Sequence, residues 1–395
     1  MIRKKYFSLE MVKLLGAFSG VQKMKNKILY ISIIGGVLIF TFLLFAFPQN
    51  RQPIKIGLSV SLTGAYPDLG REIRDGTLLA VEMINEEGKV KGKPIQLIIK
   101  DNKSNIKEAI NNYEELIKEG VAAVIGPATS TVAKNLLPLI NEKKILTIAP
   151  TPTSTELAGL DDYMIRLRPT NKEDALELAK YVTKKLKPKR IVVIYDVLNP
   201  TYTIDFAQNF MKYSGKEIKF SLIPFKEGKS YIRDLSKKVL SYSPDAVLLI
   251  TEVYSTALIA QNLRILKPNV KILSTPWSKF ERLIENGGKR IEGLLNLETF
   301  DEDYKGELYQ KFKRRFIDRF GYEPELGAIL GFESVMLIKQ AVERGATKET
   351  MKDVIIKKGK FQGLQGEINI NPFGDRVIKP FVVKVEKGKW EKVRE

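Results

Sequence analysis

From Ile54 onward the chain alternates between two patterns. Short, continuously apolar runs such as "IKIGLSV", "VAAVIG" and "DAVLLIT" read as strands buried on both faces, whereas "REIRDGTLLAVEMINEE", "NIKEAINNYEELIKE" and "EDALELAKYVTKKL" carry apolar residues at helical spacing. The order is strand "IKIGLSV", helix from Arg71, strand "PIQLIIK", helix from Asn105, strand "VAAVIG", helix from Ser130 and strand "ILTIA". After "YMIRLRP" the same order begins again, with strands "RIVVIYD", "EIKFSLIPF", "DAVLLIT" and "KILST" separated by helices "TIDFAQNFMKYS", "YIRDLSKKVLS" and "STALIAQNLRIL". Strands joined by crossover helices form parallel sheets, so the pattern predicts an α/β protein of two doubly wound parallel-sheet lobes. Helices "YKGELYQKFKRRFIDRF" and "LGAILGFESVMLIKQAVERG" follow, and "PFVVKVEKGKW" closes the chain as a strand and hairpin. No Pro/Ser/Gly-rich linker divides the two runs, so the lobes are expected to pack together.

In open parallel sheets ligands bind beyond the carboxyl ends of the strands. Polar and aromatic loops fall at those ends: "SVSLTGAYPDLG", "GPATST" and "APTPTST" in the first run, "YDVLNPTY", "TEVYST" and "STPWSKF" in the second. Three successive hydroxyls, Thr129, Ser130 and Thr131, stand where a helix begins and its free N–H groups favour negative charge. Ser130 is expected to cap that helix. A hydroxyl both donates and accepts, so the same residue can also seat an anionic ligand group.

The N-terminal region has a different pattern. Residues 28–47, "ILYISIIGGVLIFTFLLFAF", carry no charge and are long enough as a helix to cross a bilayer core of ~30 Å. Lys23, Lys25 and Lys27 precede them, which predicts a basic cytoplasmic segment over 1–27, a transmembrane signal anchor and an extracytoplasmic body. No A-x-A-like cleavage site follows the apolar run; cleavage would instead release the body outside the cell or into the periplasm. "MKNKILYISIIGG" is itself a well-formed signal start, so Met24 is an alternative initiation site.

Composition narrows the chemistry. The absence of Cys excludes disulfides, thiolate nucleophiles, thiolate-bound zinc and a lipidated cysteine, and the absence of His removes the commonest general base and metal ligand. No metal site, cofactor or catalytic group is expected: there is no phosphate loop, no G-x-G-x-x-G and no nucleophile elbow. The net charge of +19 raises nucleic acid as a partner, but residues 1–51 account for +7 of it, and the body intersperses Lys with Glu. A solvated surface explains that body, and no nucleic-acid partner is expected.

"IKIGLSVSLTGAYPDLGREIRDGTLLAVEMINEEGKVKGKPIQLIIKDNKSN", "VAAVIGPATS", "ILTIAPTPTSTEL", "RLRPTNKED" and "RIVVIYD" together resemble the type I periplasmic binding proteins of the leucine/isoleucine/valine-binding group, the receptors of branched-chain amino-acid ABC transporters. The resemblance covers about residues 54–395. It implies one lobe from 54–167 with about 300–377, a second from 170–297 with about 380–395, and three hinge crossings near Arg168 to Thr170, Glu298 to Asp301 and Val377 to Pro380. It further implies that Ser130, next to Thr129, and the loop residues Thr151 and Thr153 hold an amino acid's carboxylate and part of its ammonium group. Asn199 and Tyr202 fall in the loop that supplies a lid. The sequence departs from the family at Leu69, where an aromatic is usual, and at Trp277 and Asn171, where the resemblance leads one to expect acids. Glu252 and Asp196 are candidate substitutes for those acids, and Trp277 can cover a cation or stack on an apolar ligand.

The resemblance thus implies a receptor that closes on a small carboxylate-bearing ligand, an amino acid or related acid, and delivers it to ABC permease subunits, and the apolar 28–47 segment would anchor it in the membrane. Alternatives are a sensor signalling through a partner membrane protein, or a receptor for an amide or an aromatic or aliphatic acid. An enzyme on a flavodoxin-like lobe has no supporting motif.

Overall fold

The computed structural model describes residues 52–226 and 231–393; the expected 28–47 span and the basic 1–27 segment lie outside them. Among the described residues no helix is long and apolar enough to cross a membrane.

Strands β1 (Ile54–Val60), β2 (Ile95–Asp101), β3 (Ala123–Ile125), β4 (Thr147–Ala149) and β5 (Met164–Arg166) form a parallel sheet of order β2-β1-β3-β4-β5. The second sheet uses β6 (Arg190–Asp196), β7 (Lys219–Phe225), β8 (Ala246–Ile250), β9 (Lys271–Ser274) and β10 (Leu295–Glu298) in the equivalent order, β7-β6-β8-β9-β10. The late strands β13 (Phe381–Glu386) and β14 (Lys389–Lys392) extend it antiparallel. Their turn places Lys387 and Gly388 both at positive φ, the backbone a two-residue hairpin requires.

Side chains alternate across each strand, which divides the apolar residues between two cores per sheet. Ile56, Leu58 and Val60 of β1 face one core of the first sheet; Val124 of β3 faces the other, with Tyr113 and Leu136. In the second sheet Val192 and Ile194 of β6 face one core, while Ile191 and Val193 face the other.

The crossover helices in the first half are α1 (Pro67–Glu86), α2 (Ile106–Lys118) and α3 (Ser130–Lys143); in the second half they are α4 (Asn171–Tyr181), α5 (Pro200–Tyr213), α6 (Ile232–Ser241) and α7 (Val253–Leu266). Their starts follow local chemistry. Asn105 accepts hydrogen bonds from the Lys107 and Glu108 N–H groups, Thr170 and Glu173 form a reciprocal capping box, and Pro67 opens α1 a turn before the expected Arg71. After α8 (Glu281–Gly287) the chain returns to the first half with α9 (Glu307–Phe320), α10 (Leu326–Glu343) and α11 (Met351–Lys358). α10 is buried along most of its length, packed mainly against α1, and a Cβ on Gly76 would lie 1.9 Å from the Ala328 carbonyl oxygen. The two helix backbones touch where the residue has no side chain.

α11 and the short hairpin β11 (Lys360–Gly363) to β12 (Gly366–Asn369) have no counterpart in the sequence expectations. Their strands are too short to show a period, yet Phe361 and Ile368 are buried in the first half's core.

Candidate functional site

The carboxyl ends of both sheets face each other across a cleft. β3 ends at Ile125, and "GPAT" leads to α3, whose first N–H groups lack intrahelical partners. Thr129 is the residue before this helix and Ser130 its first member, which corrects the expectation that Ser130 caps it. Thr129 makes no side-chain cap bond, and the Ser130 Oγ instead accepts from the Thr153 N–H (3.1 Å) and the Ser154 N–H (3.3 Å) of the loop after β4. Thr151 Oγ1 donates to the Ala128 carbonyl (2.6 Å), so the two loops are tied together.

The second half meets this wall at the start of α5. Asn199 precedes the helix without capping it and accepts from the Thr131 N–H at 3.1 Å, while the Thr131 Oγ1 accepts from the Thr201 N–H at 3.2 Å. Two helix N-termini therefore meet through side-chain oxygens. Nearby, Tyr66 Oη donates to Asp196 (3.1 Å), and the Trp277 ring stands edge-on to Tyr66 (4.8 Å between centroids) and to Tyr202 (5.5 Å). Burial drives the Tyr202 phenol well above its ordinary range, so it is a neutral hydroxyl.

These groups enclose a cavity of about 40 Å³, room for a few waters by its volume. The eight residues named from the sequence, Leu69, Thr129, Ser130, Thr151, Thr153, Asn199, Tyr202 and Trp277, all line it. Sequence reading missed Ala128, Arg168, Asp174, Pro276 and Leu326 in the same wall. Leu69 belongs to the first turn of α1 rather than to a loop, and with Leu326 it forms the apolar side.

Asn171, where the resemblance led us to expect an acid, is wholly consumed by neighbours. Its Oδ1 accepts from Thr153 Oγ1 (2.7 Å), and its Nδ2 donates to the Tyr202 carbonyl (3.0 Å) and to Asp205 (2.8 Å). Glu252 is the N-cap of α7, accepting from the Tyr254 and Ser255 N–H groups, and neither it nor Asp196 is among the lining residues. The ionic groups in the wall are Arg168 and Asp174, paired at 2.9 Å.

A wider groove of about 1310 Å³ lies elsewhere, lined by Lys184, Lys185, Lys379, Asp301, Glu302 and Asp303 among others. Charges of both signs line it, and none of the cleft hydroxyls does, so the smaller cavity is the candidate site.

Two facing α/β halves with a polar, hydroxyl-lined cavity between them define a solute-binding receptor fold. The family model for "Periplasmic binding protein" matches residues 53–389, and the chain belongs to that family, whose members are extracytoplasmic solute-binding receptors. Among curated relatives, the Leu/Ile/Val-binding protein BraC3 of Rhizobium johnstonii is 31% identical over 151 residues, which is 38% of this chain and 41% of that protein. The chain thus matches about two fifths of BraC3's length. Leu/Ile/Val-binding protein homolog 2 of Brucella abortus is 24% identical over 363 residues, covering 85% of this chain and 92% of the relative. Among solved structures, the leucine binding protein LivK of Thermotoga maritima superposes with a TM-score of 0.79 at 26% identity, covering 86% of this chain and 98% of that one. The two-sheet α/β architecture is that of the type I periplasmic binding proteins.

Proposed function

We propose that this protein is the membrane-anchored receptor of an ABC importer and closes its two halves on a small carboxylate-bearing ligand, an amino acid with an aliphatic side chain. One observation carries the reading: a helix N-terminus, the hydroxyls of Ser130, Thr151 and Thr153, and an apolar wall of Leu69, Trp277 and Leu326 converge on one small cavity between the halves. The helix end and the Ser130 hydroxyl, which accepts from two N–H groups and keeps its own proton to donate, suit a carboxylate, whereas Thr151 and Thr153 already donate to Ala128 and Asn171. The apolar side suits a hydrocarbon chain, and the similarity to the Leu/Ile/Val-binding protein BraC3 and the leucine binding protein LivK supports the same ligand class.

In this reading 28–47 holds the body at the membrane, so the receptor meets its permease at a high effective concentration. Three chain crossings, near Arg168 to Thr170, Glu298 to Asp301 and Val377 to Pro380, serve as the hinge between lobes of 54–167 with about 300–377 and 170–297 with about 380–395.

The test is a thermal-unfolding screen of the full-length protein against leucine, isoleucine, valine, 4-methylpentanoate and benzoate, repeated on Ser130→Ala. A ligand at a hundred times its Kd stabilises the folded state by about 2.7 kcal/mol. We expect leucine or isoleucine to raise Tm, and the variant to lose most of that rise. No response to any of these carboxylates would overturn the proposal.

A further inference from the structure

We infer that Asp174, in the first turn of α4, is the residue that recognises a ligand ammonium group in this cavity. The inference rests on the receptor reading above and goes beyond it by naming the specificity-determining acid.

Asp174 is the only carboxylate among the lining residues of the cavity and is 1% exposed. Its two oxygens differ. Oδ2 accepts from Arg168 Nη2 at 2.9 Å, whereas Oδ1 is buried and receives no hydrogen bond among the described residues. A buried carboxylate oxygen without a donor loses its hydration and gains nothing in return.

Arg168 cannot serve both oxygens. Its Nη1 donates to Thr299 Oγ1 at 2.8 Å, while Glu298, 4.0 Å away, pairs with Lys279 at 3.4 Å. The neighbouring amides do not answer it: Asn171, one helical turn before Asp174, has spent its amide on Thr153, Tyr202 and Asp205, and Asn199 Oδ1 is held by Thr131. Burial lifts the Asp174 carboxyl to about 6 against the pull of Arg168. It is therefore mainly ionised at neutral pH, ready to accept from a cation.

A protonated amine fits these facts better than a neutral donor, because it supplies the missing hydrogen bond to Oδ1 in its stronger, charge-assisted form. The cavity is small, so a group bound at Asp174 and a carboxylate at the α3 N-terminus belong to one compact zwitterion. An α-amino acid has that shape; a simple carboxylic acid leaves Oδ1 unanswered.

The experiment is calorimetric titration of the full-length protein and of Asp174→Asn with leucine and with 4-methylpentanoate, which keeps leucine's carbon skeleton and carboxylate but lacks the amine. We expect the wild type to prefer leucine. The variant should lose leucine affinity on the order of 10- to 100-fold and bind 4-methylpentanoate as well as the wild type does or better. Unchanged leucine affinity in the variant, or a wild type that prefers 4-methylpentanoate, overturns the assignment while the receptor reading stands. A wild type that binds neither compound overturns both. Should Asp174→Asn not fold, a wild-type complex with leucine decides the matter: its nitrogen should lie within about 3.2 Å of Asp174 Oδ1, and a nitrogen placed elsewhere overturns the assignment.

Discussion

Glu72 shows how one buried side chain sets a pH response. It lies on the buried face of α1, where its Oε2 accepts from the Glu325 N–H at 3.2 Å, with Asp75 and Arg282 nearby. Burial pushes its carboxyl up to about 8, partly offset by hydrogen bonds from the backbone. Glu325, half-buried beside it, is pushed up as well, by loss of hydration first and then by Glu72. Between an ordinary value near 4.5 and about 8 the unfolded chain has released the Glu72 proton while the folded chain still holds it. Unfolding therefore releases a proton, and stability falls as pH rises through that window. Glu72→Gln keeps the acceptor and removes the titration. The loss of stability between pH 5 and pH 8 in denaturant unfolding should then shrink, with the Glu325 contribution remaining, and the variant should exceed the wild type at pH 8 by on the order of a few kcal/mol. Equal pH slopes in the two proteins would contradict this account. At the same scale, the site hydroxyls were legible because Ser and Thr recur at several strand ends and helix starts along the same sheet edges, beyond what capping alone requires. Asp174 was not, since an acid in a helix's first turn normally complements the helix dipole from solvent; only the fold buries it beside Arg168.

At the scale of elements, α1 and α10 meet backbone to backbone. A Cβ on Gly331 would lie 2.3 Å from the Ile73 carbonyl oxygen, and Gly76 is still closer to Ala328. Gly76→Ala should therefore lower stability by about 1–3 kcal/mol through overpacking, although alanine is the better helix former. A Tm equal to or above the wild type's would refute the close contact. The helical period of "LGAILGFESVMLIKQAVERG" and the apolar runs of the strands are long enough to be read directly from the chain. α11 and the β11–β12 hairpin escaped because strands of four residues hold barely two turns of a two-residue period. Their placement depends on the core that receives Phe361 and Ile368.

Among the described residues the two halves are held together by polar contacts across the cleft, including Tyr66 with Asp196, Thr131 with Asn199 and Thr201, Thr155 with Asp205, and the ion pair of Asp68 with Arg282. Single polar contacts of this kind contribute only about 0.5–1.5 kcal/mol each, so ligand contacts can tip the balance between open and closed forms. Trp277 reports on it, because its ring lies between Tyr66 of the first half and Tyr202 of the second. Leucine should change the tryptophan emission of the full-length protein, and Trp277→Phe should abolish the change while Trp390 still emits. A leucine response that survives in the variant would place the moving contact elsewhere.

The alternation of apolar runs and amphipathic stretches determined by itself that this is an α/β protein with two parallel sheets, because backbone hydrogen bonding and side-chain period leave few other ways to bury such runs. It also marked the loops at which a ligand site would form. Tertiary structure alone decided how those loops are wired. Ser130 serves the Thr153 loop instead of its own helix, Asn171 is spent on its neighbours, and Asp174 keeps one oxygen open. The physical reason is that capping, pairing and desolvation depend on partners far apart in the chain, and no local pattern records which partner arrives first.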